Sequence, residues 1–144
     1  MTRYLGIDFG TRRIGVAVSD ELGLTAQPLP SLEPSSEQEA LSVIQGLIDQ
    51  YGALEVVVGL PKNMNGSIGP AAEAAMAFAR RLEEGGTAKV TMWDERLTSR
   101  EAERLLIEAD LSRAKRKRHV DQMAAVLILQ GFLDRYHRQQ ERSS

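Results

Sequence analysis

The chain is 144 residues long, 42% hydrophobic and 26% charged, with a formal net charge of −2 and no cysteine. That length fits one domain with a sizeable core, and the composition is that of an ordinary soluble globular protein. It excludes a transmembrane helix, for want of a long uncharged apolar run, and any disulfide or thiolate chemistry. The first residues lack the layout of a signal peptide, so a cytoplasmic protein with no membrane partner is expected.

Residues 3–9 and 12–19 read as two β-strands around a tight connection at Gly10 and Thr11, because Val, Ile and small residues dominate them. The run from Leu22 to Leu32 is apolar but broken by Pro28 and Pro30, which predicts an edge strand entering a loop. Ser36 followed by Glu39 is a capping box, and Leu41, Ile44, Leu47, Ile48 and Tyr51 continue at helical spacing to a stop at Gly52. Leu54 to Leu60 is a short, continuous apolar strand of the kind buried on both faces. Pro61 to Gly69 is a loop. Pro70 suits the first position of a helix carrying Ala71, Ala75, Phe78 and Leu82, closed by Gly85-Gly86. Lys89 to Trp93 is another strand. Thr98 and Glu101 form a second capping box, opening a helix to about Ala109. Leu111 to Lys117 reads as a polar, basic loop, and a last helix runs from about His119 to Tyr136. The order βββαβαβαα predicts an α/β architecture with a mixed sheet flanked by helices. Residues 1–137 form one domain, and 138–144 a polar C-terminal tail expected to fray.

Three acids stand at the ends of these elements. Asp8 closes the first strand, inside a strand-like run where a carboxylate is costly unless its charge is compensated. Glu95 follows the strand ending at Trp93, and Asp121 lies at the start of the last helix, where the dipole tolerates negative charge. Ligand sites in α/β sheets lie beyond the carboxyl ends of parallel strands, so the three can converge. Carboxylates so placed suit magnesium or manganese and the two-metal chemistry of phosphodiester cleavage. Each acid also has a plainer reading: Asp8 as a turn residue before Gly10, Glu95 as a surface partner of Arg96, Asp121 as ordinary helix-start chemistry. Asp20 reads as a turn residue, and Asp94 as a neighbour supporting the acid group.

The net charge does not favour a polyanion partner, but its distribution does. Arg113, Lys115, Arg116, Lys117 and Arg118 fall within six residues and lead directly to Asp121. Such a run is either a flexible solvated loop or a set of phosphate contacts that bind without regard to sequence. The aromatic residues are not interleaved with it, so it offers no platform for stacking bases.

Four strings, Gly6 to Asp20, Val58 to Gly69, Asp94 to Ser99 and Asp121 to Ala125, occur together and in this order. The chain thereby resembles the YqgF family of bacterial proteins, described as Holliday junction resolvases and as pre-16S ribosomal RNA nucleases. The resemblance runs from Tyr4 to about Tyr136 and implies an RNase H-like fold. The family's acidic triad falls on Asp8, Glu95 and Asp121, all acidic here. The family loop falls on Pro61 to Gly69, where Gly66 and Gly69 let backbone approach a phosphate; Asn65 stands where an Asp is expected in many relatives and is assigned no catalytic role. Lys62 and Asn63 are candidate phosphate contacts, or parts of an ordinary polar loop. Arg96 is a candidate phosphate contact or a neutraliser of the acids. His119 stands near the acid region, as a proton carrier or a solvated bystander.

The leading expectation is therefore a divalent-metal-dependent nuclease acting on structured nucleic acid. Maturation of precursor 16S ribosomal RNA is preferred, with RNA favoured and DNA possible; the alternative is junction resolution, which needs a symmetric dimer. The sequence leaves monomer or homodimer open. Two readings of other classes compete. Asp8 to Thr11 followed by Ile14-Gly15 also looks like the phosphate-binding hairpin of actin- and hexokinase-like ATP-binding proteins, although a second such hairpin is missing. A non-catalytic nucleic-acid-binding module is the other.

Overall fold

The structure is a computed structural model that describes residues 3–10, 12–86, 88–95 and 113–143, the side chains of the last segment from 123 to 139. Five strands, β1 (Arg3–Phe9), β2 (Ile14–Ser19), β3 (Ala26–Leu32), β4 (Ala53–Leu60) and β5 (Lys89–Asp94), form one sheet in the order β3-β2-β1-β4-β5. β1, β2 and β3 pair antiparallel, Ile7 facing Val16 and Ala17 facing Pro28. β4 and β5 join in parallel, with Val58 beside both Ile7 and Met92. The mixed sheet is the one expected. Pro28 and Pro30 sit on β3 at the sheet's edge, where a missing N–H donor is tolerated.

β2 begins at Ile14 rather than at residue 12. Gly10 N–H donates to the Arg13 carbonyl at 3.0 Å, so Arg12 and Arg13 belong to the turn. A side chain at Gly10 would lie 2.6 Å from that carbonyl oxygen, which is why the turn takes glycine there.

Helices cover both faces. On one, α1 (Glu37–Tyr51) and α2 (Pro70–Glu84) bury Ile44, Ile48, Phe78 and Leu82 against Leu5, Ile7, Val16, Val56 and Val58. Phe9 stacks on Phe78 with ring centroids 4.5 Å apart. Ser36 caps α1 by accepting from Glu39 N–H at 3.1 Å. The return bond of the box is displaced by one residue, Glu39 taking the Ser35 hydroxyl instead. Gly52 ends α1 at φ 63°, a conformation that favours glycine.

The other face carries the last helix, α3 (Arg113–Ser143), whose Ala125, Ile128, Leu129 and Leu133 pack on Tyr4, Ala17 and Val57. The approach is close because Gly6 lacks a side chain: a methyl there would lie 2.7 Å from Leu129 Cβ and 3.0 Å from the Ala125 carbonyl. Gln130 ties this helix to the sheet edge, accepting from Ala26 N–H and donating to the Leu24 carbonyl.

Two sequence expectations need correction here. The basic run from Arg113 to Arg118 is the start of α3 and not a loop, and the polar tail continues the same helix to Ser143. Ala, Lys, Arg, Gln and Glu are strong helix formers, and Gly131 is the helix's one glycine, with no proline. Charge density suggested a solvated connector, but backbone propensity decides. The helix expected from Thr98 to about Ala109 lies outside the described residues.

Candidate active site

Asp8 is the penultimate residue of β1 and pairs with Gly15 of β2. Side chains alternate along a strand, so Asp8 shares the α3 face with Tyr4 and Gly6. Glu95 directly follows β5, two residues beyond Trp93 and on the same face. Since β4 separates β1 from β5, the two backbones are roughly 10 Å apart, two strand spacings. Their carboxyl groups meet only across a β4 residue that leaves the space open. That residue is Gly59, which pairs with Trp93. A methyl on Gly59 would lie 2.3 Å from Glu95 Oε1 and 2.5 Å from Ile128 Cδ1. The Glu95 carboxyl thus occupies the place of a β4 side chain, roofed by α3.

The electrostatics follow from that burial. Desolvation pushes the Glu95 carboxyl up from 4.5 to about 9, helped by its hydrogen bond to Asp8 and by the charges of Asp8 and Asp94. Burial and the acids beside it thus favour the protonated form of Glu95, whose carboxyl group is hydrogen-bonded to that of Asp8. Two carboxyl groups this close repel when both are ionised, and either a proton or a cation between them relieves that repulsion.

Asp121 belongs to α3, one turn before Ala125 and two before Ile128. α3 runs antiparallel to β1, with Leu129 against Gly6 and Phe132 against Tyr4 at a centroid distance of 5.7 Å. Its N-terminal turns therefore lie toward the end of β1 that carries Asp8. The side chains of Asp121, of His119 and of the basic run lie outside the described residues, as does Arg96.

The loop from Pro61 to Gly69 is built from its own polar groups. Asn63 Nδ2 donates to Ser67 Oγ at 2.9 Å, Ser67 Oγ donates to Asn65 Oδ1 at 2.6 Å, and Gly66 N–H donates to the Asn63 carbonyl at 2.8 Å. Gly66 turns the chain at φ 87°. Asn63 and Asn65 thus shape the loop, and Lys62 sits at its start. Asp20 is a turn residue, as expected. Its Oδ1 accepts from Leu24 N–H at 2.7 Å and Thr25 N–H at 3.3 Å, and the Leu24 bond leads in holding its carboxyl below the usual range.

Sequence reasoning missed Gly59. The trace was present: a lone glycine inside the run Val56-Val57-Val58-Gly59-Leu60 weakens a strand and marks a close approach.

The architecture is that of the RNase H-like resolvases. RuvC from Thermus thermophilus, in complex with a Holliday junction substrate, superposes with a TM-score of 0.57 at 16% identity, over 94% of this chain and 96% of that one. The fowlpox virus resolvase, solved with Holliday junction DNA, gives a TM-score of 0.59 at 10% identity, over 94% and 99%. At such identities the likeness is one of fold. The family follows from sequence: residues 2–135 match the model of the RuvX family, described as Holliday junction resolvase, and the chain belongs to that family. A Bacillus cereus relative named "Putative pre-16S rRNA nuclease" is 56% identical over 135 residues, spanning 92% of this chain and 98% of its own. A Bacillus thuringiensis relative of the same name is 55% identical over 134 residues, with the same coverage.

Proposed function

We propose that this chain is a divalent-metal-dependent nuclease that trims precursor 16S ribosomal RNA in the cytoplasm, with Asp8, Glu95 and Asp121 as its catalytic acids. The observation that carries this reading is the Asp8–Glu95 carboxyl pair, brought together across Gly59 and joined by a hydrogen bond. An oxygen-only donor set of this kind fits magnesium or manganese rather than a softer metal. Bound there, such ions would supply an activated water and charge neutralisation for the leaving oxygen. The protein's own part is to hold the carboxylates on rigid strands, with β4 and Ile128 excluding water behind Glu95. Asp121 completes the set from the N-terminal turns of α3.

The basic run supports a nucleic-acid partner. Arg113, Lys115, Arg116, Lys117 and Arg118 occupy the first turns of α3, where cations oppose the helix dipole; a phosphate backbone offsets that repulsion. Lys62 and Arg96 add phosphate contacts, while Asn63 keeps the loop in shape beside them. RNA is favoured by the relatives' name. Resolution of DNA junctions is the second reading, favoured by the family description, and it requires a homodimer presenting two acid sites.

Cleavage of matched RNA and DNA panels, including precursor 16S ends and four-way junctions, tests the choice. Metal-dependent cutting of the RNA ends by a monomer is the expected result. Paired, symmetric nicking of junctions by a dimer, with the RNA ends left intact, would overturn it in favour of resolution.

A further inference from the structure

The loop from Pro61 to Gly69 reverses the usual arrangement of a surface loop. Its polar side chains are taken up by one another. Asn63 Nδ2 donates to Ser67 Oγ at 2.9 Å, and Asn65 Oδ1 accepts from both the N–H and the hydroxyl of Ser67, at 3.0 and 2.6 Å. The Asn63 N–H also donates to the Ser67 carbonyl at 3.0 Å. The Asn63 amide lies against Gly69, where a methyl would meet it at 3.2 Å. The two large apolar side chains are the ones left to solvent. Met64 is 79% exposed, more than any other large hydrophobic residue among those described, and Ile68 is 42% exposed.

The loop stands at the acid site. Lys62 N–H donates to the Leu60 carbonyl at 3.0 Å, so the chain leaves β4 in a tight turn. Gly59, over which the Glu95 carboxyl lies, precedes Met64 by five residues, a span of at most about 18 Å, or roughly five base-pair rises. No carboxylate occurs between Leu60 and Glu73, and Lys62 gives the loop a positive charge, so a phosphate strand can approach it.

An apolar side chain held out by a braced loop has a definite use against nucleic acid. It enters between adjacent bases, replaces part of their stacking and opens the step. Reading base edges would instead call for the amide groups that are already bonded within the loop. Bracing serves insertion, because little ordering cost remains to be met on binding. A protein partner fits less well, since two apolar side chains among Lys62, Asn63, Asn65 and Ser67 fall far short of the roughly 800 Å² that a stable protein interface covers on each side.

We propose that Met64 is a wedge that enters a base step where paired strand meets unpaired strand, and so positions the strand for cleavage at Asp8 and Glu95. The proposal rests on the nuclease reading above and deepens it, making the junction of duplex and single strand the preferred substrate class.

The test places 2-aminopurine, which brightens when it leaves a stack, at one position at a time in an RNA hairpin with a single-stranded overhang. Each RNA is bound uncleaved by Asp8→Asn, alone and combined with Met64→Ala or Met64→Leu. Expected is a rise in fluorescence at one step only, lost in Met64→Ala and kept in Met64→Leu. In protein that retains Asp8, Met64→Ala should lower the ratio of hairpin to single-strand cleavage roughly tenfold. Thermal unfolding of Met64→Ala should match that of the parent, because the side chain is exposed. Hairpin bound with no rise at any step, or a rise that Met64→Ala keeps, would overturn the wedge; if the wild type still cleaves, the nuclease reading stands alone. A rise that depends on Met64 in a protein whose wild type cleaves nothing would uphold the wedge and sink the nuclease. A dimer in sedimentation that Met64→Ala dissociates, with the rise unaltered, would overturn the wedge in favour of contact between two copies of the chain.

Discussion

Gly59→Ala isolates the geometry of the acid pair without touching either acid. The added methyl would stand 2.3 Å from Glu95 Oε1 and 2.5 Å from Ile128 Cδ1, against ordinary separations of about 3.5–4.0 Å. Each must therefore retreat by roughly 1 Å or more. Both are ends of flexible side chains, so the fold survives. Overpacking of this kind costs about 1–3 kcal/mol, and the Glu95 carboxyl regains water as it leaves, which places the loss at the lower end. In a domain of this size that is a drop of roughly 2–4 °C in Tm. Activity should suffer far more, since a misplacement of about 1 Å costs on the order of 100-fold. Single-turnover cleavage in magnesium and thermal unfolding by circular dichroism, on the same preparations, separate the two effects. Gly59→Ala cleaving at the wild-type rate would refute the placement of Glu95 across β4, whatever its Tm.

Two further predictions concern charge. The folded protein binds one proton more than the unfolded chain between the ordinary Glu value of 4.5 and about 9, so Glu95's contribution to stability is fully present below 4.5 and is lost as pH rises through that window, by up to ~1.4 kcal/mol per pH unit. In chelator, Glu95→Gln keeps the shape without the titration, so its stability relative to wild type should improve steadily from pH 5 to 9 in urea unfolding; a difference independent of pH would show that the pair does not share a proton. Replacing Lys115, Arg116 and Lys117 by Ala preserves helix propensity in α3 and should weaken binding to all sequences alike, flattening the salt dependence by up to ~1 in slope for each phosphate no longer neutralised. An unchanged slope would assign the run to structure alone.

Much of the fold was legible because each element carried its own punctuation. Ser36, Gly52, Pro70 and Gly85 bound two helices where the structure has them, and the prolines of β3 marked an edge. α3 was misjudged at both ends because five cations in six residues suggest a loop, whereas Arg, Lys and Ala favour helix and no glycine or proline interrupts it before Gly131. Asp8 and Glu95 were legible as acids at strand ends, but not the reason they meet. That reason is the missing side chain at Gly59, a relation between three strands that no spacing along one chain encodes. The ring of hydrogen bonds among Asn63, Asn65 and Ser67 likewise depends on the turn at Gly66, not on composition.

The most direct test of the account is single-turnover cleavage of a precursor 16S ribosomal RNA end by wild type and by Asp8→Asn, each in magnesium, in manganese and in excess chelator. Cutting by the wild type with either metal, its loss in chelator, and no cutting by a correctly folded Asp8→Asn under any condition are the results predicted. Asp8→Asn cleaving as fast as the wild type, or wild-type cleavage undiminished by chelator, would contradict a metal-dependent centre built on Asp8 and Glu95.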